Sequence, residues 1–391
     1  MRVLIANHSH VVGGGAESYL LRLLEHARES DLEFSLLVES PEAARGPSII
    51  CDESMRVWHW GARDKRETRA RITAWRPEIV YVNGLIDTVL EEWLVNAFPS
   101  VLYAHNYYGT CLTGEKRHRF PKLVMCERTF GVSCFGYCYL RGCGSLRPSR
   151  LFESYVHQKK RNELLANYRS ILVASEWMRA EFERHEVDRV EIVPLFVDPE
   201  PRAPMRSGPV LFLGRLTEVK GPHLLIEAFA LLDPKIRADL SLVIAGDGVD
   251  RPRLVRLSHD LRVPAEFTGW LGLERLHETI AGASVVALPS MWPEPFGLSG
   301  LEAAAMGKPI VAFPTGGIVD WLEPGVVGEM PPPGDFSAEG IANSLTRVLA
   351  DPDYYERLSI GAHAAAARFG AARHLDSLKD AFAAVLGAER R

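Results

Sequence analysis

The stretch ASVVALPSMWPEPFGLSGLEAAAM (residues 283–306) sets an apolar run against a helical pattern, with a proline-rich turn between them. Glu294 and Glu302 flank seven residues that include Pro295 and two glycines. A solvated helix would carry glutamates on its outer face, but proline and glycine do not belong in the interior of such a helix. Pro293 and Pro295 bias the residues before them toward extended backbone, so Glu294 is expected in a loop. ASVVALPS reads as a buried strand and LSGLEAAAM as a helix. The stretch is therefore a strand-to-helix turn of an α/β unit, where open parallel sheets bind ligands.

The same alternation runs outward in both directions. Before it, RVLIA, FSLLVE, MRVWHW, EIVYVN, VLYAH, SILVAS and VEIVP read as strands separated by helical patterns. DPEPRAPMRSGP (residues 198–209) holds four prolines, lacks apolar periodicity and reads as a linker. VLFLG, SLVIAG, EFTGW, SVVALP and PIVAF then restart the pattern. The expected fold class is α/β, with two Rossmann-like doubly wound domains facing across a cleft. The boundaries fall at 1–200, with a cysteine-rich insert over 106–150, then 201–370, then a C-terminal helix over 371–391. A length of 391 residues suits two cores.

Composition is that of a globular protein, and a net charge of −5 gives no general attraction to nucleic acid. No apolar run approaches the roughly 20 residues that span a bilayer. The first strand is too short for a signal peptide, so a cytoplasmic protein is expected.

Candidate ligand residues lie just after strands. GRLTEVKG (residues 214–221) brings Arg215 and Lys220 to a turn before a helix, an arrangement suited to a diphosphate. GGGAES (residues 13–18) follows the first strand and offers free amides, but lacks the dinucleotide fingerprint spacing. His105 ends VLYAH, either as a structural residue or at a site. GDGVDR and TGGIVDWL place further glycine turns, including Gly316 and Gly317, at strand ends.

FLGRLTEVKGPHLLIEAF, LVIAGDG, FTGWL and ALPSMWPEPFGLSGLEAAAMGKPIVAFPTGG occur in an order that resembles the family-4 retaining glycosyltransferases of the GT-B fold. GGGAE, VLYAHN, ASEWMR and VPLFVD match more loosely. The resemblance implies a nucleotide-sugar donor, retention of anomeric configuration and no metal or cofactor in catalysis. It implies that Glu294 contacts donor-sugar hydroxyls and Glu302 the ribose. Gly15, Gly214, Phe296, Gly297 and Leu298 would line sugar and phosphate, while Arg215 and Lys220 would stabilise the departing diphosphate. His105 would touch the donor sugar, and Ser175 would border the same cleft. Gly13, Gly14, Glu17 and Asn106 fall on the acceptor side. Donor binding is expected to close the domains about residues 199–209, and the C-terminal helix to cross back onto the first domain. Rival readings are a sugar-nucleotide epimerase of the same architecture, a coupling enzyme acting on non-sugar rings, and a pure binding module.

Five of the six cysteines lie between Cys111 and Cys143. Cys111, Cys126, Cys134 and Cys143 are candidate ligands of a structural zinc, with Cys138 as substitute; packed thiols or a disulfide are the alternatives. The basic runs KRHRFPK and HQKKR suit either a solvated face, an anionic membrane surface, or a phosphate on the acceptor. The expected acceptor is a glycan, a lipid-linked molecule or a small molecule.

Overall fold

The computed structural model describes residues 1–40, 48–50, 55–61 and 64–389, so the last two residues of the expected C-terminal helix lie outside it. The chain forms two compact units, Met1–Leu195 with Ala371–Arg391, and Phe196–Gly370.

The first unit is built on seven parallel strands: β1 (Arg2–Asn7), β2 (Glu33–Val38), β3 (Val57–His59), β4 (Ile79–Gly84), β5 (Ser100–Ala104), β8 (Ser170–Val173) and β9 (Val190–Ile192). A separate antiparallel pair is formed by β6 (Arg117–His118) and β7 (Val124–Met125). The sheet order is β3-β2-β1-β4-β5-β8-β9. In the second unit β10 (Val210–Leu213), β11 (Leu242–Ala245), β12 (Ala265–Gly269), β13 (Val285–Leu288), β14 (Ile310–Ala312) and β15 (Gly328–Glu329) are ordered β12-β11-β10-β13-β14-β15. VLFL, LVIA, VVAL and IVA are buried throughout, as strands covered on both faces must be. In each unit the chain runs outward from a central strand and then returns to its other side. The reversal falls between β1 and β4, and between β10 and β13. Helices diverge there and leave a crevice at the carboxyl ends of the strands.

β15 escaped the sequence reading because two residues carry no periodicity. The proline-rich segment also differs from its expected role as a free linker. Arg202 pairs with Glu356 at 2.7 Å, and the amide of Ala203 donates to Met306 O at 2.9 Å. The Lys308 ammonium donates to the carbonyls of Ala203 and Ala281. The extended backbone that proline enforces leaves polar groups unused by any sheet, and this segment spends them on the second unit. The chain passes between units at Leu195–Phe196 and Gly370–Ala371 instead.

The cysteine-rich insert has its own structure. It holds the β6–β7 hairpin and the helix Ser133–Arg141, and it precedes the helix Pro148–Leu165. Its anchor is an ion pair between Lys116 and Glu181 at 2.5 Å, both only 1–2% exposed. Lys116 also donates to Arg128 O at 2.7 Å. KRHRFPK is thus only partly a basic face, because Lys116 and Arg117 are buried. Removing Lys116 leaves the buried Glu181 with Arg184, 2.5 Å from its other oxygen, as its remaining cationic partner, and an undercompensated buried charge is costly. Lys116→Met should therefore lower unfolding free energy by about 3 kcal/mol in urea titration, and the double variant Lys116→Met/Glu181→Leu should recover part of it.

Candidate active site

In the second unit, the crevice at the β10/β13 reversal is formed by two turns. The first contains Gly214, an exposed Arg215 and the short 3-10 helix Glu218–Lys220. The second runs from Met291 to Gly297 and opens the helix Leu298–Ala305. The structure brings Lys220 and Glu294 together: Nζ lies 2.6 Å from Oε1, with both side chains largely withdrawn from solvent. The ammonium also sits over the Trp292 ring, 4.6 Å from its centroid.

The backbone of Glu294 is held from a third turn. Gly317 N–H donates to Glu294 O at 2.7 Å, and Gly316 sits directly beneath, at φ +57°. A Cβ on Gly316 would come within 2.2 Å of that carbonyl oxygen, so only glycine allows the approach. Gly297, at φ +79°, begins the helix without any side-chain cap. Its first amides are thus directed at the crevice edge, where an anion is favoured. Phe296 is buried against Phe369, and its carbonyl accepts from Trp321 Nε1 at 2.6 Å. Its side chain is core, leaving its backbone for the turn. Glu302 stands one turn inside the helix and is half-buried.

In the first unit, Gly13, Gly14 and Gly15 lead into the helix Gly15–His26, which also lacks a side-chain cap. A Cβ on Gly15 would meet no atom within 4 Å. Glu17 lies in the first helical turn. His105 follows β5 and packs on Tyr103 and Tyr19, with ring centroids 4.7 and 5.3 Å away. Its Nε2–H donates to Asn83 Oδ1 at 3.1 Å. Burial, with His374 nearby, lowers His105 to about 3, so its imidazole is neutral.

Beneath His105 lies a polar chain that no local pattern announced. His374, on the C-terminal helix Ala371–Glu389, donates from Nδ1 to Pro194 O at 2.7 Å. Its Nε2 must then accept, so Tyr19 O–H donates to it at 2.8 Å and Tyr81 O–H donates to Tyr19 at 2.8 Å. Burial lowers His374 to about 4. His374 is far from His105 in sequence, whereas Asn83, at the end of β4 by the strand reversal, carried a positional signal.

Two expected site residues have local structural work. Asn106 Oδ1 accepts from Tyr108 N at 2.9 Å, closing the turn that opens the insert. Ser175 is fully buried and caps the helix Glu176–Glu183 through Met178 N.

The four-cysteine zinc site is not formed: among the described residues, no group of three or more His, Cys, Asp or Glu is arranged to hold a metal. Cys111 Sγ accepts from Lys116 N at 3.4 Å, whereas Cys138 is buried with Leu112 and Leu151 and donates to Ser145 O at 3.6 Å. Burial raises the Cys126, Cys134 and Cys143 thiols, the last to about 12, which favours neutral packed thiols over thiolates. All five insert cysteines are free.

The two depressed histidines set a pH dependence. Unfolded, both titrate near 6.5, so below that pH the unfolded chain binds more protons than the folded one. Stability should be full above about pH 6.5 and fall as pH drops toward 4, by roughly 3 kcal/mol through His374 alone. Urea midpoints measured across this range should show a shallower fall in His374→Phe; an unchanged slope would contradict the assignment.

Residues 198–364 match the family described as glycosyl transferases group 1. Alpha-D-kanosaminyltransferase of Streptomyces kanamyceticus is 36% identical over 152 residues, covering 38% of each chain. D-inositol 3-phosphate glycosyltransferase of Saccharomonospora viridis is 35% identical over 189 residues, covering 46% of this chain and 43% of that one. The chain thus spans about two fifths of the length of these curated relatives. The Anabaena protein Alr3699/HepE, solved with UDP-glucose, superposes with a TM-score of 0.72 at 18% identity, over 98% of this chain and all of that one. The fold is therefore GT-B, and the likeness to the glycosyl transferases group 1 family covers residues 198–364 of the chain.

Proposed function

We propose that this protein transfers a glycosyl group from a nucleotide-sugar donor to an acceptor hydroxyl with retention of configuration. The observation that carries the reading is the Lys220–Glu294 pair at the β10/β13 reversal, within the segment that matches the family. Glu302 takes the ribose, the amides of Phe296, Gly297 and Leu298 face the phosphates, and Arg215 and Lys220 neutralise the diphosphate. Lys220 exchanges part of its contact with Glu294 for a phosphate oxygen, freeing the carboxylate for sugar hydroxyls. On the first unit, Gly13, Gly14 and Glu17 face the acceptor and Gly15 the donor.

The reaction is a front-face substitution that needs no metal. The bond from the anomeric carbon to the phosphate oxygen breaks, and a bond to the acceptor oxygen forms on the same face. The acceptor proton passes to the departing phosphate oxygen. Neutral His105 contributes a hydrogen bond to the donor sugar, and positioning and electrostatics supply the acceleration. UDP-, GDP-, ADP- and dTDP-sugars should be tested by thermal shift and hydrolysis. Lys220→Ala and Glu302→Ala should each weaken the nucleotide that binds by about tenfold or more, consistent with a lost charged hydrogen bond of roughly 1.5–3 kcal/mol. Unchanged affinity in both would overturn the assignment.

The insert supports a peripheral contact with anionic membrane at the cytoplasmic face. Among the described residues, no helix is long and apolar enough to cross a membrane. Residues 116–161 nevertheless hold eleven Lys and Arg against two Glu, in a chain of net charge −5, and of the eleven only Lys116, Arg117 and Arg161 are buried. Phe120, Leu140, Leu146 and Phe152 are each more than 60% exposed in the same region, beside exposed Arg119, Lys122, Arg147 and Arg150. Apolar side chains interleaved with cations suit an anionic lipid surface. The protein should co-sediment with phosphatidylglycerol-containing vesicles and not with pure phosphatidylcholine, and Leu140→Ser/Phe152→Ser should abolish that binding.

A further inference from the structure

Lys220 and Trp292 rise from two turns that are fastened to each other. Met291 N–H donates to Val219 O at 2.8 Å, so the residue before Trp292 is bonded to the residue before Lys220. Gly221, at φ +69°, closes against the Pro289 carbonyl, and a Cβ there would strike it. On its other side Trp292 precedes Pro293, which biases it toward extended backbone, and Glu294 follows with its carbonyl bonded to Gly317 N–H at 2.7 Å. Thr315 Oγ1 adds a bond to Ser290 O at 3.1 Å. The backbone is therefore held on both sides of each residue, and the two side chains meet from fixed points.

The Lys220 ammonium has two neighbours of different kinds. Glu294 Oε1 accepts one of its three N–H groups at 2.6 Å, and the Trp292 ring centroid lies 4.6 Å from Nζ. The carboxylate bond depends on a short distance and a narrow angle. A ring face attracts a cation through its quadrupole and has no lone pair aimed at a single hydrogen. The ammonium can thus turn over the indole and keep most of that attraction. Lys220 is 19% exposed and Trp292 is half-buried, so the contact is largely withdrawn from water, where cation–π attraction is strongest.

A diphosphate that enters this crevice requires the ammonium to exchange part of its contact with Glu294 for a phosphate oxygen. A partner that is kept throughout the exchange limits the rotamer freedom that a lysine otherwise loses on binding. Trp292 is placed to be that partner.

We propose that Trp292 is a positioning residue of the diphosphate site: its indole face holds the Lys220 ammonium through a cation–π contact while that ammonium moves between Glu294 and the donor diphosphate. The inference rests on the glycosyl-transfer reading and adds a residue that acts through Lys220 without touching the reacting atoms.

Whichever of UDP, GDP, ADP and dTDP binds is titrated by ligand-observed NMR beside its own nucleoside, with thermal melting as the folding control. Trp292→Leu should weaken the nucleoside diphosphate about fivefold and leave the nucleoside unchanged, and Trp292→Phe, with a smaller aromatic face, should lie between. In a Lys220→Ala background Trp292→Leu should have no further effect, as coupling through the lysine requires. Fluorinated tryptophans at position 292 nearly keep the ring's size while draining charge from its face, so they serve where Trp292→Leu does not fold. Diphosphate affinity should then fall stepwise from mono- to tetrafluorotryptophan. Unchanged diphosphate affinity in folded Trp292→Leu, an equal loss for the nucleoside, an equal loss in the Lys220→Ala background, or indifference to fluorination would each overturn the proposal. Failure of every nucleoside diphosphate to bind the wild-type protein would refute the glycosyl-transfer reading itself, and the proposal with it.

Discussion

Glu294 is held at its carbonyl by the Gly317 amide and at its carboxylate by the Lys220 ammonium. These contacts join three turns that follow β10, β13 and β14, and each turn depends on the sheet order that puts β13 beside β10. The constraint is steric as well as electrostatic. Gly316 can lie beneath the Glu294 carbonyl only because it lacks a Cβ and tolerates a positive φ. A side chain there would push the turn outward and separate the carboxylate from the lysine. The glycine-rich sequence after β14 is thus packed into the same cluster of turns as the glutamate after β13.

The first unit works differently. It buries neutral polar groups, with His374, Tyr19 and Tyr81 linked in one hydrogen-bonded direction and the His105 ring packed at a tilt against Tyr19. The direction follows from a single carbonyl: Pro194 O requires the proton on Nδ1 of His374, and each later donor is then determined. Low local dielectric strengthens such a chain and also penalises any unpaired member. The unpaired atoms of Asn83, Glu91 and Arg161 consequently stand out beside this fully linked chain.

The insert shows where local reading fails. Five clustered cysteines resemble a metal site by density, yet their thiols are distributed between an apolar core around Leu112 and Cys138 and separate contacts with backbone and hydroxyl groups. KRHRFPK resembles a surface, yet its first lysine is buried against Glu181, a residue distant in sequence. Both outcomes depend on long-range partners. A cysteine is a small hydrophobe or a ligand, and a lysine is a surface charge or half of a buried pair, according to what the fold brings against it.

β-rich runs of four to six residues, alternating with amphipathic segments, were enough to locate the seven strands of the first sheet and five of the six in the second; the central strands are apolar along their length because both faces are covered, while the edge strands β3, β9 and β12 are only partly buried. The motifs after those strands likewise marked Glu294, Lys220 and His105 as turn residues beyond strand ends, which is where the structure has them. Spatial partners were beyond the sequence. The pairing of Lys220 with Glu294, the docking of residues 199–209 on the second unit, and the descent of His374 onto Tyr19 join positions 74, more than 100 and 355 residues apart. No periodicity spans such separations, and only packing of the complete chain brings these groups within reach of a hydrogen bond.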